Sequence, residues 1–294
     1  SDLDLVFVYR TPEGADQSDG DKPLAISHFY ARFAQRYLNA LTAPTSAGAL
    51  FDVDMRLRPA GAHGPLASSL TAFRDYLADK AWTWEQMAMT RARFVAGDAA
   101  LGAAVMDVIR DRLTRPRDPD DLLRAVADMR TRIAATHKAD SLWQVKYARG
   151  GLVDVEFLAQ YLQLRHAAAH PEIVSANTAA AYARLAEAGV LDPALAGRLA
   201  DAARLWQRIQ SMLRLSVSGR FDPDAATAGL RAALARAAGV ADFETLLARM
   251  ETVAGEVSAA YDAMVEEPAR ALPPGVGKEG GAGPRTDQEE DDER

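Results

Sequence analysis

Apolar and polar residues alternate with period two in two short stretches near the start of the chain, and follow helical spacing almost everywhere after residue 67. Leu3 to Tyr9 reads as a buried strand headed by Asp2-Leu3-Asp4. Residues 10–22 are polar, with Pro and Gly, and read as a loop. From Pro23 to about Leu41 the spacing of Phe29, Phe33, Tyr37, Leu38 and Leu41 is helical. A second strand is expected over 49–57, ended by Pro59, which cannot donate to a ladder. Gly61 and Gly64 then mark a flexible or close-approach loop. Helices are expected over about 68–79, 81–95, 99–113, 119–137, 151–168, 174–188, 193–218, 225–237 and 241–266. From Pro268 onward Pro, Gly and acidic residues leave too little apolar surface to offset ordering entropy. The pattern predicts an α+β chain: a small mixed sheet with helices over 1–98, an all-α helical bundle over 99–266, and a disordered acidic tail over 267–294.

The strand pattern carries chemistry. In extended chain Asp2 and Asp4 share one face, and Asp52, Asp54, Arg56 and Arg58 share the face opposite Phe51, Val53, Met55 and Leu57. Side by side, these strands bring several carboxylates together beside two guanidiniums. Like charges so placed repel unless a cation sits among them. The combination points to Mg²⁺ bridging carboxylates to a polyphosphate, with Arg holding phosphate oxygens bidentately. The plainer alternative is an edge strand with a solvated face. Asp-x-Asp recurs at 19/21, 118/120 and 222/224, but there it falls in a polar loop and in two Pro-bearing helix starts.

Composition narrows the class. With 294 residues, 49% hydrophobic and 26% charged, the chain has room for two modest domains. The absence of cysteine excludes disulfides, thiolate catalysis and Cys-ligated zinc. No apolar run approaches the ~20 residues that span a bilayer, and no signal peptide is visible, so a cytoplasmic protein without a membrane partner is expected. A net charge of −7 argues against a nucleic-acid partner. The chain opens on a strand with no initiator Met, so a fragment is expected.

Two further runs stand out. Trp82-Thr83-Trp84-Glu85 opens a helix that carries Arg91, which either reaches a phosphate or runs out to solvent. Lys146-Tyr147-Ala148-Arg149-Gly150-Gly151 precedes a helix whose N-terminus suits an anion, with Lys146 and Arg149 adding positive charge. On that helix Asp154 and Glu156 diverge by about 200° and cannot form one site. The helix is apolar nearly all round and hence central, so a buried carboxylate on it must be paired. The pair either serves an active site or ties two domains together.

Ser1-Asp2-Leu3-Asp4-Leu5-Val6-Phe7, Val53-Asp54-Met55-Arg56-Leu57-Arg58-Pro59, and Gly150-Gly151-Leu152-Val153-Asp154-Val155-Glu156-Phe157 with Gln160 closely resemble glutamine synthetase adenylyltransferase. This bacterial bifunctional family adds AMP to a tyrosine of glutamine synthetase and removes it. The likeness includes Thr45–Gly48 and Ala81–Arg93 and covers roughly residues 1–220. It implies a partial nucleotidyltransferase-fold domain whose Gly-rich phosphate turn precedes Ser1. Ala81–Glu85 is closer to the carboxy-terminal, AMP-adding half. The implied activity is ATP-dependent adenylylation of glutamine synthetase, regulating nitrogen assimilation. Asp2, Asp4 and Asp54 would be catalytic Mg²⁺ ligands, with Asp54 helping to deprotonate the phenol. Ser1, Arg56, Arg58, Arg91 and Lys146 would contact nucleotide and phosphates, and Asp154 and Glu156 would support the site. The implied partners are glutamine synthetase and a PII-type signalling protein. The alternatives are the phosphorolytic de-adenylylating activity of the same family, or a non-catalytic regulatory or docking fragment.

Overall fold

The computed structural model describes residues 3–46, 48 and 52–273. Ser1, Asp2, the strand positions 49–51 and most of the expected tail, 274–294, lie outside the described residues. The chain divides into two compact units. Of the described residues, one holds those up to Gln86 together with Ala92–Arg112, and the other holds Met87–Arg91 together with those from Leu113 on. The first unit thus runs past the boundary expected at residue 98. The ring of Phe94 lies where a Cβ on Gly102 would stand, 2.5 Å away, so the helix that carries Gly102 is packed onto the segment that leads into it. Among the described residues no helix is long and apolar enough to cross a membrane.

In the first unit the expected strand 3–9 comes in two pieces, β1 (Leu3–Asp4) and β2 (Phe7–Tyr9). Helix α1 (Ile26–Thr42) comes next, then β3 (Val53–Asp54), β4 (Ala67–Ser69) and α2 (Leu70–Asp79). β1 pairs in parallel with β3, Leu3 opposite Val53 and Asp4 opposite Asp54, and β2 pairs in parallel with β4. The described strands therefore form two parallel pairs and not the mixed sheet expected. A single partner strand would have run beside Leu3–Tyr9; here it is interrupted by an excursion over residues 55–66. β4 replaces the start of the helix expected at 68, and the Ser69 hydroxyl caps α2 by accepting the Ala72 N–H at 3.2 Å. Tyr30 of α1 stacks on Tyr9 (4.3 Å between centroids) and Tyr37 meets Phe7 edge-on (5.6 Å). Phe29 and Phe33, part of the apolar spacing that predicts this helix, are exposed.

Helix α3 (Thr83–Met89) stops short of the expected residue 95. Its last turn tightens, the Arg91 N–H donating to the Ala88 carbonyl, and the Thr90 hydroxyl turns back onto the Met87 carbonyl at 2.7 Å. Helix α4 (Ala99–Leu113) lies where the spacing predicts it.

The second unit consists of α5 (Pro119–Thr136), α6 (Leu152–His166), α7 (Thr178–Glu187), α8 (Pro193–Ser216), α9 (Ala228–Ala238) and α10 (Phe243–Tyr261). After α10, a wide π-type turn over Asp262–Glu266 leads into α11 (Glu267–Ala271). Pro268 lies in α11, which continues from the π-type turn without a break, so the helix runs past the start expected for the tail. α6 is buried on nearly every side, as its composition predicts, and the Tyr182 hydroxyl anchors α7 to it through the Val155 carbonyl at 2.6 Å.

Asp154 is fully buried on α6. Its carboxylate pairs with Arg130 of α5, with Arg149 at 3.1 Å, and with the Gly150 N–H at 2.6 Å. Arg149 also binds Asp262 and, at 3.0 Å, Glu266. Gly150 sits at φ +71°, and a Cβ there would stand 2.0 Å from the Ala254 carbonyl oxygen of α10. The double glycine thus admits a helix of the protein itself. Asp154→Ala is expected to reduce unfolding free energy by about 3–5 kcal/mol, because it leaves Arg130 buried and unpaired. Gly150→Ala should cost about 3 kcal/mol, and Gly189→Ala no more than about 1. Gly189 has a similar φ of +70° but open space around it, so urea unfolding of the two alanine variants separates clash from backbone strain.

Candidate active site

Asp4 and Asp54 occupy matched positions on adjacent parallel strands. Matched residues in a parallel pair project to the same face, and strands lie about 4.8 Å apart. The ladder is closed on both sides, with Leu3 N–H donating to the Asp52 carbonyl at 2.8 Å and Leu5 N–H to the Asp54 carbonyl at 3.0 Å. Asp54 is the last residue of β3, and its side chain ends the strand. Its Oδ1 accepts the Arg56 backbone N–H at 2.7 Å, the Asx-turn geometry in which an aspartate folds the chain over itself two residues on.

That turn overturns the expected common face of Asp54, Arg56 and Arg58. Arg56 curls back, its Nε lying 3.1 and 2.9 Å from the two Asp54 oxygens and its Nη2 2.6 Å from Oδ2. Burial alone would raise the Asp54 pKa, but the hydrogen bonds from Arg56 and the charges of Arg56 and Arg58 outweigh it and hold the carboxyl below its ordinary value. Arg58 is buried, 8% exposed, and its guanidinium spans the excursion. Nη1 donates to the Met55 carbonyl at 2.6 Å and Nε to the Gly64 carbonyl at 3.2 Å. Gly64 itself passes so close to Pro59 that a Cβ would stand 2.0 Å from its carbonyl oxygen, the close approach that the glycine predicts. Asp52 is exposed and contributes its backbone carbonyl to the ladder.

The remaining expected site residues gather in the second unit. Arg91 pairs with Glu156 at 2.8 Å. Burial raises the Glu156 pKa, opposed by Arg91, a hydrogen bond from Gln207 and the charge of Lys146. The Lys146 ammonium lies 4.7 Å from the Tyr147 ring centroid. Asp154 and Glu156 serve separate ion pairs, as their helical divergence requires. Among the described residues no three His, Asp or Glu side chains cluster as metal ligands; Asp2, the expected third, lies outside them. Sequence reasoning missed Arg130, the partner of Asp154. It also missed Glu85 and Tyr76, whose side chains meet at 2.8 and 2.9 Å within the first unit.

Because Asp54 binds protons less readily folded than unfolded, the stability it contributes is full above the unfolded-state pKa of ~3.9 and disappears as pH falls through the lower folded value. Arg56→Met should raise the Asp54 pKa, since burial, the largest single influence, is then opposed only by the backbone N–H at position 56 and the charge of Arg58, and should shrink this acid loss. A carboxyl NMR titration of both forms measures the change.

The family model described as glutamate-ammonia ligase adenylyltransferase matches residues 1–108, and that described as GlnD PII-uridylyltransferase matches residues 122–265. The bifunctional glutamine synthetase adenylyltransferase/adenylyl-removing enzymes of Bradyrhizobium diazoefficiens and Xanthobacter autotrophicus are 46% and 47% identical to the chain, each over 90% of it. That of Rhodopseudomonas palustris is 44% identical over a similar share. The chain spans 27% of the length of each of these relatives. By this identity along nearly its whole length, the chain belongs to the glutamine synthetase adenylyltransferase family.

Proposed function

We propose that this chain carries the AMP-adding chemistry of a glutamine synthetase adenylyltransferase, on a domain of nucleotidyltransferase fold. The reaction transfers AMP from ATP to a tyrosine of glutamine synthetase and releases pyrophosphate. The observation that carries this reading is the register pairing of Asp4 with Asp54 beside the Arg56 guanidinium.

The donor set fits Mg²⁺. Carboxylate oxygens are the hard donors this ion takes, and two of them stand on one face about a strand spacing apart. The Arg56 fork engages both Asp54 oxygens, so the guanidinium would give way on Asp54 for the ion to bind there. Asp4 and Asp54 would hold the ion, with Asp2 as third ligand. Bound there, it would offset charge on the transferring and leaving phosphates.

Asp54, held below the ordinary carboxyl range, stays ionised at neutral pH. It is therefore suited to be a ligand and poorly matched to take a proton from a phenol of pKa ~10. Arg56, 40% exposed on its side chain, is placed to exchange Asp54 for a phosphate oxygen. Arg58 holds the excursion beneath it. Arg91, Lys146 and Glu156 would shape the second unit as the part that meets glutamine synthetase and a PII-type signalling protein. The match of residues 122–265 to a PII-uridylyltransferase family model supports that assignment.

Asp4→Asn and Asp54→Asn, in this chain and at the matching positions of a full-length relative, should each lower AMP incorporation into glutamine synthetase by at least about 100-fold. Thermal melts should shift by only a few degrees. The measurement is transfer of label from ATP. Release of ADP from adenylylated glutamine synthetase and phosphate, without transfer from ATP, would assign the opposite half-reaction instead.

A further inference from the structure

The excursion over 55–66 has a second support besides Arg58. Ala60, at its outer bend, adopts φ 63°, ψ 18°, and among the described residues it is the only non-glycine with positive φ. A side-chain-bearing residue stays in the left-handed region only where its surroundings hold it there. The Tyr76 hydroxyl on α2 lies against the Ala60 backbone N–H, which acts to lower its pKa. That hydroxyl in turn donates to Glu85 of α3, lying 2.8 and 2.9 Å from the two carboxylate oxygens.

We propose that Glu85, acting through Tyr76, is a positioning residue for the proposed AMP transfer: its carboxylate fixes the Tyr76 hydroxyl so that the hydroxyl oxygen holds the Ala60 N–H and, with it, the excursion that carries Arg56 and Arg58 beside Asp54. This inference rests on the AMP-transfer reading. An ionised carboxylate only accepts hydrogen bonds, so the Tyr76 proton is committed to Glu85 and the oxygen lone pairs are left to face the loop. Glu85 is 2% exposed, and its Oε2 also accepts the Trp82 N–H at 2.8 Å, closing the start of α3 in the manner of a capping box. Burial pushes the Tyr76 pKa upward, and the hydrogen bond to Glu85 and the charge of that carboxylate add to it. The phenol therefore keeps its proton. Two neighbouring helices thus meet through one carboxylate, and the hydroxyl it orients reaches the one strained residue of the loop.

The test uses Tyr76→Phe, Glu85→Leu and Glu85→Gln in this chain, with amide hydrogen exchange over 55–66 and Mg·ATP affinity by calorimetry as the two readouts. Tyr76→Phe keeps the ring and its packing, which makes it the variant least prone to misfold. It and Glu85→Leu should speed exchange at Ala60–Gly64 by about 10-fold or more and weaken Mg·ATP binding by about 10-fold. Glu85→Gln retains an acceptor oxygen and should stay within about 3-fold of the parent in both. A purely packing role for Glu85 would make Gln as damaging as Leu, and that result overturns the proposal. Unchanged loop exchange in Tyr76→Phe, or faster exchange with undiminished Mg·ATP affinity, also overturns it. If the unmodified chain fails to bind Mg·ATP, the AMP-transfer reading falls, and the positioning role falls with it. The exchange arm then still decides whether the Glu85–Tyr76 clamp holds the loop.

Discussion

A carboxylate with no exposure to solvent must find positive charge and hydrogen-bond donors inside the protein, because the cost of leaving it bare exceeds the stability of a typical domain. Asp154 sets that condition for the whole second unit. It requires Arg130 on α5, Arg149 in the approach to α6, and an N–H that only a left-handed Gly150 aims correctly. Gly151 is equally constrained, since a Cβ there would stand 2.4 Å from the Val145 carbonyl oxygen. Through Arg149 the same demand extends to Asp262 and Glu266 beyond α10. The run that looks like an anion-binding turn is one, and the anion is supplied by the chain itself.

The first unit uses the same pair of groups to the opposite end. Asp54 and Arg56 also form a fork, but their side chains are 16% and 40% exposed, against 0% and 6% for Asp154 and Arg130. An ion pair in contact with water contributes little to stability and exchanges partners readily, whereas a dry one is fixed. Burial, and not chemistry, separates a carboxylate that can change hands from one that holds helices together.

Helix positions were legible where local chemistry marks them. Asp118-Pro119 and Asp192-Pro193 announce the starts of α5 and α8, and both begin at those prolines with the aspartate as cap. β4 was not legible: Ala67-Ser68-Ser69 has neither alternation nor branched side chains, and it is a strand because β2 offers a ladder. The acidic pair at 4 and 54 could be read because period-two alternation survives up to Asp54. Arg56 and Arg58 could not, since one hydrogen bond from the Asp54 side chain to a backbone N–H converts strand into turn. Arg130, and the meeting of Tyr76 with Glu85, depend on contacts between separate helices, which periodicity does not encode.

The wide turn at Asp262–Glu266 fixes the rotational phase of α11. A π-type turn is one residue inserted into an α-helix, and each residue rotates the downstream chain by about 100°. Shortening the segment by one residue would restore ordinary winding and swing α11 around its axis, carrying the Pro273 carbonyl away from the Arg124 guanidinium that now reaches it at 3.4 Å. Length at this point is therefore under tighter constraint than residue identity, and natural variation here should take the form of substitutions and not of gaps.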